Sequence, residues 1–187
     1  MNAEIDITNT ILRTKRLVLR PWRQSDLADL FEYASVDGVG QMAGWAPHKS
    51  LAESQVILER FIQGKKTFAI VHQSKVIGSV GIEEYRSESF PEFSHLRCRE
   101  IGYILAKPYW GQGLMPEAVK EVIHYLFEKV NLDVIFCGHY DWNMQSARVQ
   151  AKCGFKYYRT LNYTNRLGVN VNGIINILTK DDYLHNK

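Results

Sequence analysis

The sequence predicts one mixed α/β (α+β) domain. Three observations carry that expectation. Segments with apolar residues at every second position alternate along the chain with segments of helical three- and four-residue spacing. A chain of 187 residues, 45% hydrophobic and 23% charged, has the ordinary globular balance and enough length for one substantial core. No internal repeat, low-complexity tract or linker interrupts it, so residues 1–187 read as a single domain.

Taken in order, RLVLRPW from Arg16 is a first strand, and SDLADLFEYAS is a helix with Ser25 as its N-cap. The loop VDGVGQMAGWAPHK follows. Ser50 then caps a second helix, with Glu53 completing a capping box. TFAIVH and KVIGSVGIEEY are strands joined by a short turn at Gln73–Ser74, and SESFPEFSHL is a polar loop. RCREIGYILA is a strand that turns Ile101, Tyr103 and Leu105 to one face. A helix follows in which Val119, Val122, Ile123, Leu126, Phe127 and Val130 share a face. DVIFCGHY is a buried-type strand, and NMQSARVQAKC is a short helix ended by Gly154. FKYYRTLNY and GIINILTK are the last strands. The expectation is about seven strands and about four helices.

Charge and cysteine usage exclude several classes. Lys plus Arg less Asp plus Glu is 23 − 20 = +3, with no basic run of the kind nucleic acid binders carry. MNAEIDITNT holds acids and no apolar core, so it does not read as a signal peptide, and no apolar stretch is long enough to span a membrane. Cys98, Cys137 and Cys153 are odd in number and widely spaced, which predicts reduced thiols and a cytoplasmic protein. The six histidines are scattered without metal-ligand spacing, so no metal is expected.

The segment YWGQGLMPEAVKEV carries the chemistry. Gly111 and Gly113 permit a tight turn and a close backbone approach to a ligand. Pro116 suits the first helical position, where its missing N–H costs nothing, and Glu117 suits the positive helix end. Unpaired N–H groups there make an anion cradle. A Walker A loop needs Lys and Ser/Thr after its last glycine, and Leu114 stands there instead. A dinucleotide fingerprint needs a third glycine where Pro116 stands, and Asp133 lies at the wrong end of the next strand for its acid. A coenzyme A pyrophosphate loop is the remaining phosphate reading.

The strand REIGYILAKPYW, the loop WGQGLM, the opening PEA and the later N-x-x-S and K-C-G-F together resemble the GCN5-related N-acetyltransferases (GNAT), most closely the RimJ/RimL-like branch of ribosomal-protein alanine acetyltransferases. The likeness runs from LRTKRLVLRPW onward, a core of about residues 12–181. It implies a mixed, mostly antiparallel sheet with coenzyme A held at a splayed strand pair, and acetyl transfer from acetyl-CoA to a primary amine by direct attack in a ternary complex. Two loop positions depart from the family's pattern: Trp110 replaces a leading Gln/Arg and Met115 a final Gly/Ala. Because Pro116 supplies no amide, the resemblance assigns the pyrophosphate to Trp110, Gly111, Gln112, Gly113, Leu114 and Met115.

It further implies that the pantetheine arm pairs with the backbone of Tyr103, Ile104, Leu105 and Ala106, where an N–H would also stabilise the tetrahedral oxyanion. Glu100, in the E-I-G-Y position, is the candidate base, its plain alternative being a carboxylate paired with a neighbouring arginine. At pH 7 a lysine-type amine needs about 4.6 kcal/mol for deprotonation and a protein α-amine about 1 kcal/mol, so an N-terminal acceptor demands less of a base. Many family members protonate the leaving thiolate with a tyrosine where Gln150 stands here. Ser146 is the residue offered at the thiol end, and Asn143 is a candidate partner of the pantetheine arm or simply a helix N-cap. Trp45 and His48 are candidates for the acceptor pocket, or loop residues packing on the sheet. The acceptor is a protein N-terminus or a small-molecule amine, with no nucleic acid or membrane partner. The protein is expected as a monomer or homodimer, the strand end at NRLGVNVNG offering an edge. The missing tyrosine leaves a second reading, a non-catalytic acyl-CoA-binding or sensing protein.

Overall fold

Apolar runs that continue through both pleats of a strand mark strands covered on both faces. TFAIVH and KVIGSVG are such runs, and they form the middle of the sheet. In the computed structural model, which describes residues 1–185, the strands are β1 Leu12–Arg13, β2 Val18–Pro21, β3 Thr67–His72, β4 Lys75–Glu83, β5 Cys98–Leu105, β6 Val134–Tyr140, β7 Lys156–Thr164 and β8 Asn170–Thr179. The helices are α1 Leu27–Ala34, α2 Leu51–Gly64, α3 Leu114–Glu128, α4 Met144–Lys152 and the short α5 Lys180–His185. Among the described residues the sheet has eight strands in the order β1-β2-β3-β4-β5-β6-β8-β7. The eighth strand is the two-residue β1, too short to show periodicity in sequence. Helix α5 was likewise not expected.

The chain's contacts resolve into two units. The loop unit comprises Asp6–Gly81 and Tyr103–Glu121. Its strands β2, β3 and β4 are antiparallel, in registers such as Leu19↔Ile70 and Phe68↔Val80. The turn expected at Gln73–Ser74 is present, with both residues left-handed at φ 48° and 69°, the geometry that matches the right-handed twist of a hairpin. Trp22, Leu30, Tyr33, Leu58, Ala69 and Val76 fill the core between these strands and α1 and α2.

One cap expectation is corrected. Ser25 does not cap α1: it lies inside a 3-10 turn, Gln24–Asp26, and α1 begins only at Leu27. The neighbouring Asp26 organises the turn instead. Its carboxylate accepts the Arg23 N–H at 2.8 Å and pairs with both terminal nitrogens of Arg20 at 2.7 and 2.8 Å. A charge-assisted, two-pronged pair outcompetes a neutral hydroxyl for that place. Ser50 does cap α2, accepting the Glu53 N–H at 3.2 Å, and Glu53 reaches back to the Lys49 N–H at 2.6 Å, one residue earlier than the usual box.

The hairpin unit comprises Met1–Ile5, Ile82–Gly102 and the chain from Val122 on. Strands β5 and β6 are parallel, from Cys98↔Val134 to Ile101↔Cys137; a parallel pair needs a crossover connection, and α3 supplies it. That register ends at Ile101, while β5 continues to Leu105. β6 pairs antiparallel with β8, and β8 with β7. The expected polar loop SESFPEFSHL is anchored by its two aromatics. Phe90 is 1% exposed, and Phe90 and Phe93 pack on Phe136 at 5.2 and 5.1 Å between ring centroids.

Asp26 and Arg20 have side chains only 6% and 12% exposed. Asp26→Ala leaves a guanidinium with little water and no counter-ion, so it is expected to lower the unfolding free energy by about 3–5 kcal/mol in a denaturant titration.

Candidate active site

In the loop unit, α3 begins at Leu114, two residues earlier than Pro116 had suggested, so the proline takes the third helical position. It still lies in the first turn, where no intrahelical N–H bond is lost. Gly113 acts as the cap: its carbonyl accepts the Glu117 N–H at 3.3 Å. Gly111 and Gly113 are left-handed at φ 76° and 74°. A Cβ on Gly111 would meet nothing and one on Gly113 only Arg16 Nη2 at 3.7 Å, so the demand for glycine is conformational rather than steric. Among the described residues, the N–H groups of Gly111, Gln112, Gly113, Leu114 and Met115 donate to no backbone acceptor. A curved run of unspent amides at a helix start is an anion site.

The residue that braces this loop was missed by the sequence reading. Arg16 Nη1 donates to Gln112 O at 3.0 Å, and its Nε pairs with Glu117 at 2.7 Å. Glu117 also accepts the Thr14 hydroxyl at 2.5 Å and the Arg16 N–H at 2.9 Å. Burial pushes the Glu117 carboxyl up, but the bonds from Thr14 and Arg16 outweigh it and hold the pKa below its ordinary value. The partners are about a hundred positions apart in sequence, and no local pattern links them.

The end of β5 is set by a close approach. A Cβ on Gly78 would lie 2.2 Å from Ile104 O, so Ile104 turns its carbonyl to β4. Strand alternation then turns the backbone groups of Tyr103 and Leu105 to the other edge. Leu105 O accepts the Trp110 indole N–H at 2.7 Å. Ala106 has both backbone groups engaged, its N–H with Ile77 O at 2.8 Å and its carbonyl with Tyr109 N–H at 3.0 Å. Trp110 gives its own N–H to Lys107 O at 3.1 Å and serves as a brace between loop and strand. Trp45 packs on the core cluster and on His48, with ring centroids 5.2 Å apart. Its ring covers Gly40, where a Cβ would lie 2.2 Å from Trp45 Cε3. His48 Nδ1 meets Ser54 Oγ at 2.7 Å, and burial lowers its pKa against the opposing charge of Glu53. Both residues are thus tied into the helices beside their loop.

In the hairpin unit, Glu100 has no hydrogen bond or ion pair among the described residues. Burial raises its pKa, Arg86 opposes the rise, and Glu83 adds to it. Its sequence neighbour Arg99 lies on the opposite pleat and donates to Ala3 O at 2.6 Å, so it is not the partner of Glu100. Two residues beyond its register partner Phe136 on β6 is Gly138, where a Cβ would lie 3.7 Å from Glu100 Oε1. Two residues that the sequence did not single out stand beside it electrostatically: Tyr163, and Arg86, whose guanidinium carbon lies 5.2 Å from the Tyr163 ring centroid. Asn143 caps α4 through the Ser146 N–H at 3.1 Å and is buried. Gln150 is fully buried. Its Nε2 donates to Gly138 O at 3.1 Å and Ser146 Oγ at 3.2 Å, and its Oε1 accepts from Asn176 at 2.7 Å. Among the described residues no group of three or more His, Cys, Asp or Glu is placed to hold a metal ion, and the three cysteines are buried and unbridged.

Comparison with known proteins fits this arrangement. The family model of the acetyltransferase (GNAT) domain matches residues 16–156. The uncharacterized N-acetyltransferase YoaA of Bacillus subtilis strain 168 is 28% identical over 160 residues, covering 78% of this chain and 82% of its own. A GNAT-family acetyltransferase structure from Bacillus anthracis superposes with a TM-score of 0.80 at 18% identity, covering 92% of this chain and 99% of that one. The ribosomal-protein-S5-alanine acetyltransferase structure of Vibrio fischeri gives 0.71 at 23% identity, covering 94% and 99%. The family match and the named N-acetyltransferase relatives make this an acetyl-CoA-dependent acyltransferase. The chain belongs to the GNAT acetyltransferase family.

Two outcomes follow from the geometry. Burial favours the protonated form of Glu100, so its folded pKa lies above the unfolded one. Stability is then greatest below the ordinary carboxylate range near about 4.3 and falls as pH rises through the folded pKa. Glu100→Gln is expected to melt at a higher temperature than wild type at about pH 7–8, the two melting points converging below about pH 4. Gly113→Ala forces a side chain into the left-handed region at about 1–2 kcal/mol. It is expected to raise the KM for acetyl-CoA several-fold in steady-state kinetics.

Proposed function

We propose that the chain is a single N-acetyltransferase domain, with a core of about residues 12–181, of the RimJ/RimL-like kind. It moves the acetyl group of acetyl-CoA to a primary amine, the α-amine of a protein N-terminus or the amine of a small molecule. The loop amides from Gly111 to Met115, with Arg16 behind them, hold the pyrophosphate. The outward backbone edge at Tyr103 and Leu105 receives the pantetheine arm, and the Leu105 N–H faces the side on which an oxyanion would be stabilised. Asn143 and Ser146 take the thiol end, and Trp45 and His48 belong to the acceptor side.

In the step itself the amine nitrogen attacks the thioester carbonyl carbon. The C–N bond forms, the C–S bond breaks, and the sulfur leaves with the electron pair. The ammonium proton goes to Glu100, directly or through water. The observation that carries this reading is the Glu100 carboxylate: half-buried, without a protein partner, and raised in pKa toward the range of a working base. The V. fischeri fold neighbour, an alanine acetyltransferase by name, supports an N-terminal acceptor. So does the modest deprotonation cost of an α-amine, about 1 kcal/mol at pH 7. Three buried, unbridged thiols are in keeping with a reducing cytoplasm.

The test is release of free CoA from acetyl-CoA with N-terminal Ala and Ser peptides, lysine peptides, polyamines, amino acids and aminoglycosides. Release confined to one acceptor class is expected, with kcat/KM rising as pH passes through the Glu100 pKa. Glu100→Gln is expected to lose about 10²-fold or more and that limb of the profile. Unchanged rates in Glu100→Gln would remove the base assignment, and tight acetyl-CoA binding without release on any amine would favour a sensing protein.

A further inference from the structure

The cation beside Glu100 has no part in the transfer step. Arg86 lies in the loop after β4, and its backbone is fixed from both sides. On one side the buried Tyr85 stacks on Phe136, with ring centroids 5.3 Å apart, and gives its N–H to Asn2 Oδ1 at 2.9 Å. On the other, the Arg86 carbonyl accepts the N–H of the buried Phe90 at 3.1 Å. The guanidinium is placed by a ring rather than by an acid: its carbon lies 5.2 Å from the Tyr163 centroid. Tyr163 is itself held across Gly173. A long side chain fixed at root and tip has little freedom left to lose when a ligand arrives.

Several arginines of the hairpin unit are spent on the protein itself. Arg97 donates to the carbonyls of Val130 and Asn131, Arg99 to that of Ala3, and Arg159 pairs with Glu92 at 2.8 Å. Arg86 is exposed and makes no ion pair among the described residues. Glu100 is near enough for the two charges to act on each other, yet they do not join. Phe136 connects them: it is the register partner of Glu100 and the ring on which Tyr85 stacks. A carboxylate and a guanidinium held near each other but unpaired are complementary to a molecule with both charges reversed, an ammonium for the acid and a carboxylate for the guanidinium.

We propose that Arg86 determines acceptor specificity: its guanidinium, carried on the Tyr163 ring, takes a carboxylate borne close to the amine that Glu100 receives, so the acceptor is an amino-acid-like zwitterion. This rests on the acetyl-transfer reading of the site. The planar fork of a guanidinium matches the two oxygens of a carboxylate. A phosphate dianion is a poorer match, because Glu83 and Glu100 already set two negative charges in this neighbourhood. The transfer removes only the positive end of the acceptor. The C–N bond forms, the sulfur leaves with the electron pair of the C–S bond, and the ammonium proton leaves through Glu100. The acetylated product keeps its carboxylate. Two sources offer this chemistry: a free α-amino acid, and a protein N-terminus followed by an acidic residue.

The test uses acceptors matched except for that charge: an α-amino acid against its amide, and the dipeptide amide Ala-Glu against Ala-Gln. CoA release is measured for wild type, Arg86→Gln, Arg86→Lys and Lys156→Gln, and the Kd of each compound for the CoA-loaded protein is measured beside the rates. Wild type is expected to favour the carboxylate member of one pair by about 10-fold in kcat/KM, the lower end for a charge-assisted pair because Arg86 faces water. That pair names the source. Arg86→Gln is expected to raise KM for that acceptor about 10-fold with kcat little changed, and to abolish the preference. Because an amide also alters the basicity of the amine, the change in the ratio between wild type and Arg86→Gln decides. Arg86→Lys keeps the charge without the fork and should recover only part of the preference. Lys156→Gln removes the same charge at the other end of β7, about 23 Å of strand from Tyr163, and should keep all of it. Equal use of both members of each pair by wild type, or a preference that survives Arg86→Gln, overturns the inference. Amine-dependent release without a carboxylate preference leaves the transferase reading standing and the Arg86 role refuted. Carboxylate-selective binding that is lost in Arg86→Gln, without release on any amine, does the reverse.

Discussion

The glycine loop at the head of α3 depends on one carboxylate. Glu117 sits in the first turn of α3 and gathers the Thr14 hydroxyl, the Arg16 N–H and the Arg16 guanidinium. Its location at the positive helix end favours the charge, and three donors outweigh the cost of its partial burial. Through it, the segment before β2 is drawn to the glycine loop, and a guanidinium is held against Gln112 O. The backbone amides alone provide partial charges, and Arg16 adds a full one beside them. The loop's two left-handed glycines, the Trp110 brace on Leu105 O and the α3 start are then positioned by neighbours of opposite character, one ionic and one aromatic. Donors that are to hold an anion need rigidity, and this loop is braced at both ends.

Within the hairpin unit, polar groups are treated in two opposite ways. Gln150, Asn176 and Ser146 satisfy one another beneath α4, as buried amides must. Glu100 is left without a hydrogen bond although burial penalises its charge and only the nearby Arg86 opposes that cost. A unit that pairs these buried amides yet leaves a half-buried carboxylate without a hydrogen bond points to a role for that carboxylate other than stability. Gly138 links the two: its carbonyl is bound by Gln150, and its missing side chain keeps space open at Glu100 Oε1.

Much of this was legible where the signal is local. The Gln73–Ser74 turn, the Ser50 cap and the helical face of α3 from Val119 to Phe127 each depend on near neighbours in the chain, and each is present in the structure, whereas Val130, expected on that face, lies beyond the helix end at Glu128. What escaped depends on distant partners or on competition between adjacent residues. Ser25 looked like a cap, but Asp26 beside it had Arg20 to bind, and charge won. Phe90 lay in a stretch whose composition said loop, and only the location of Phe136 shows why it is buried. Arg16 stood in a predicted strand and Arg86 between two predicted segments, and only folding sets one against Gln112 and the other over Tyr163. The Gln150 position was noticed for the tyrosine it lacks. Its three bonds could not be read before β6 and β8 were in place beneath it.

The hairpin of β7 and β8 contains one more constraint. Gly173 pairs with Leu161, and the Tyr163 ring lies across it, so that a Cβ there would come within 2.6 Å of Tyr163 Cε1. A large ring shielding a bare stretch of neighbouring strand is a known way to recover packing at a sheet glycine. The two positions are therefore free to drift only together. A lineage that trades the ring for a smaller side chain gains freedom at 173, and one that fills 173 must first shed the ring. Among descendants of this chain, the identity of residue 173 should covary with that of residue 163, and the wall beside Glu100 should be inherited as a pair rather than as two independent choices.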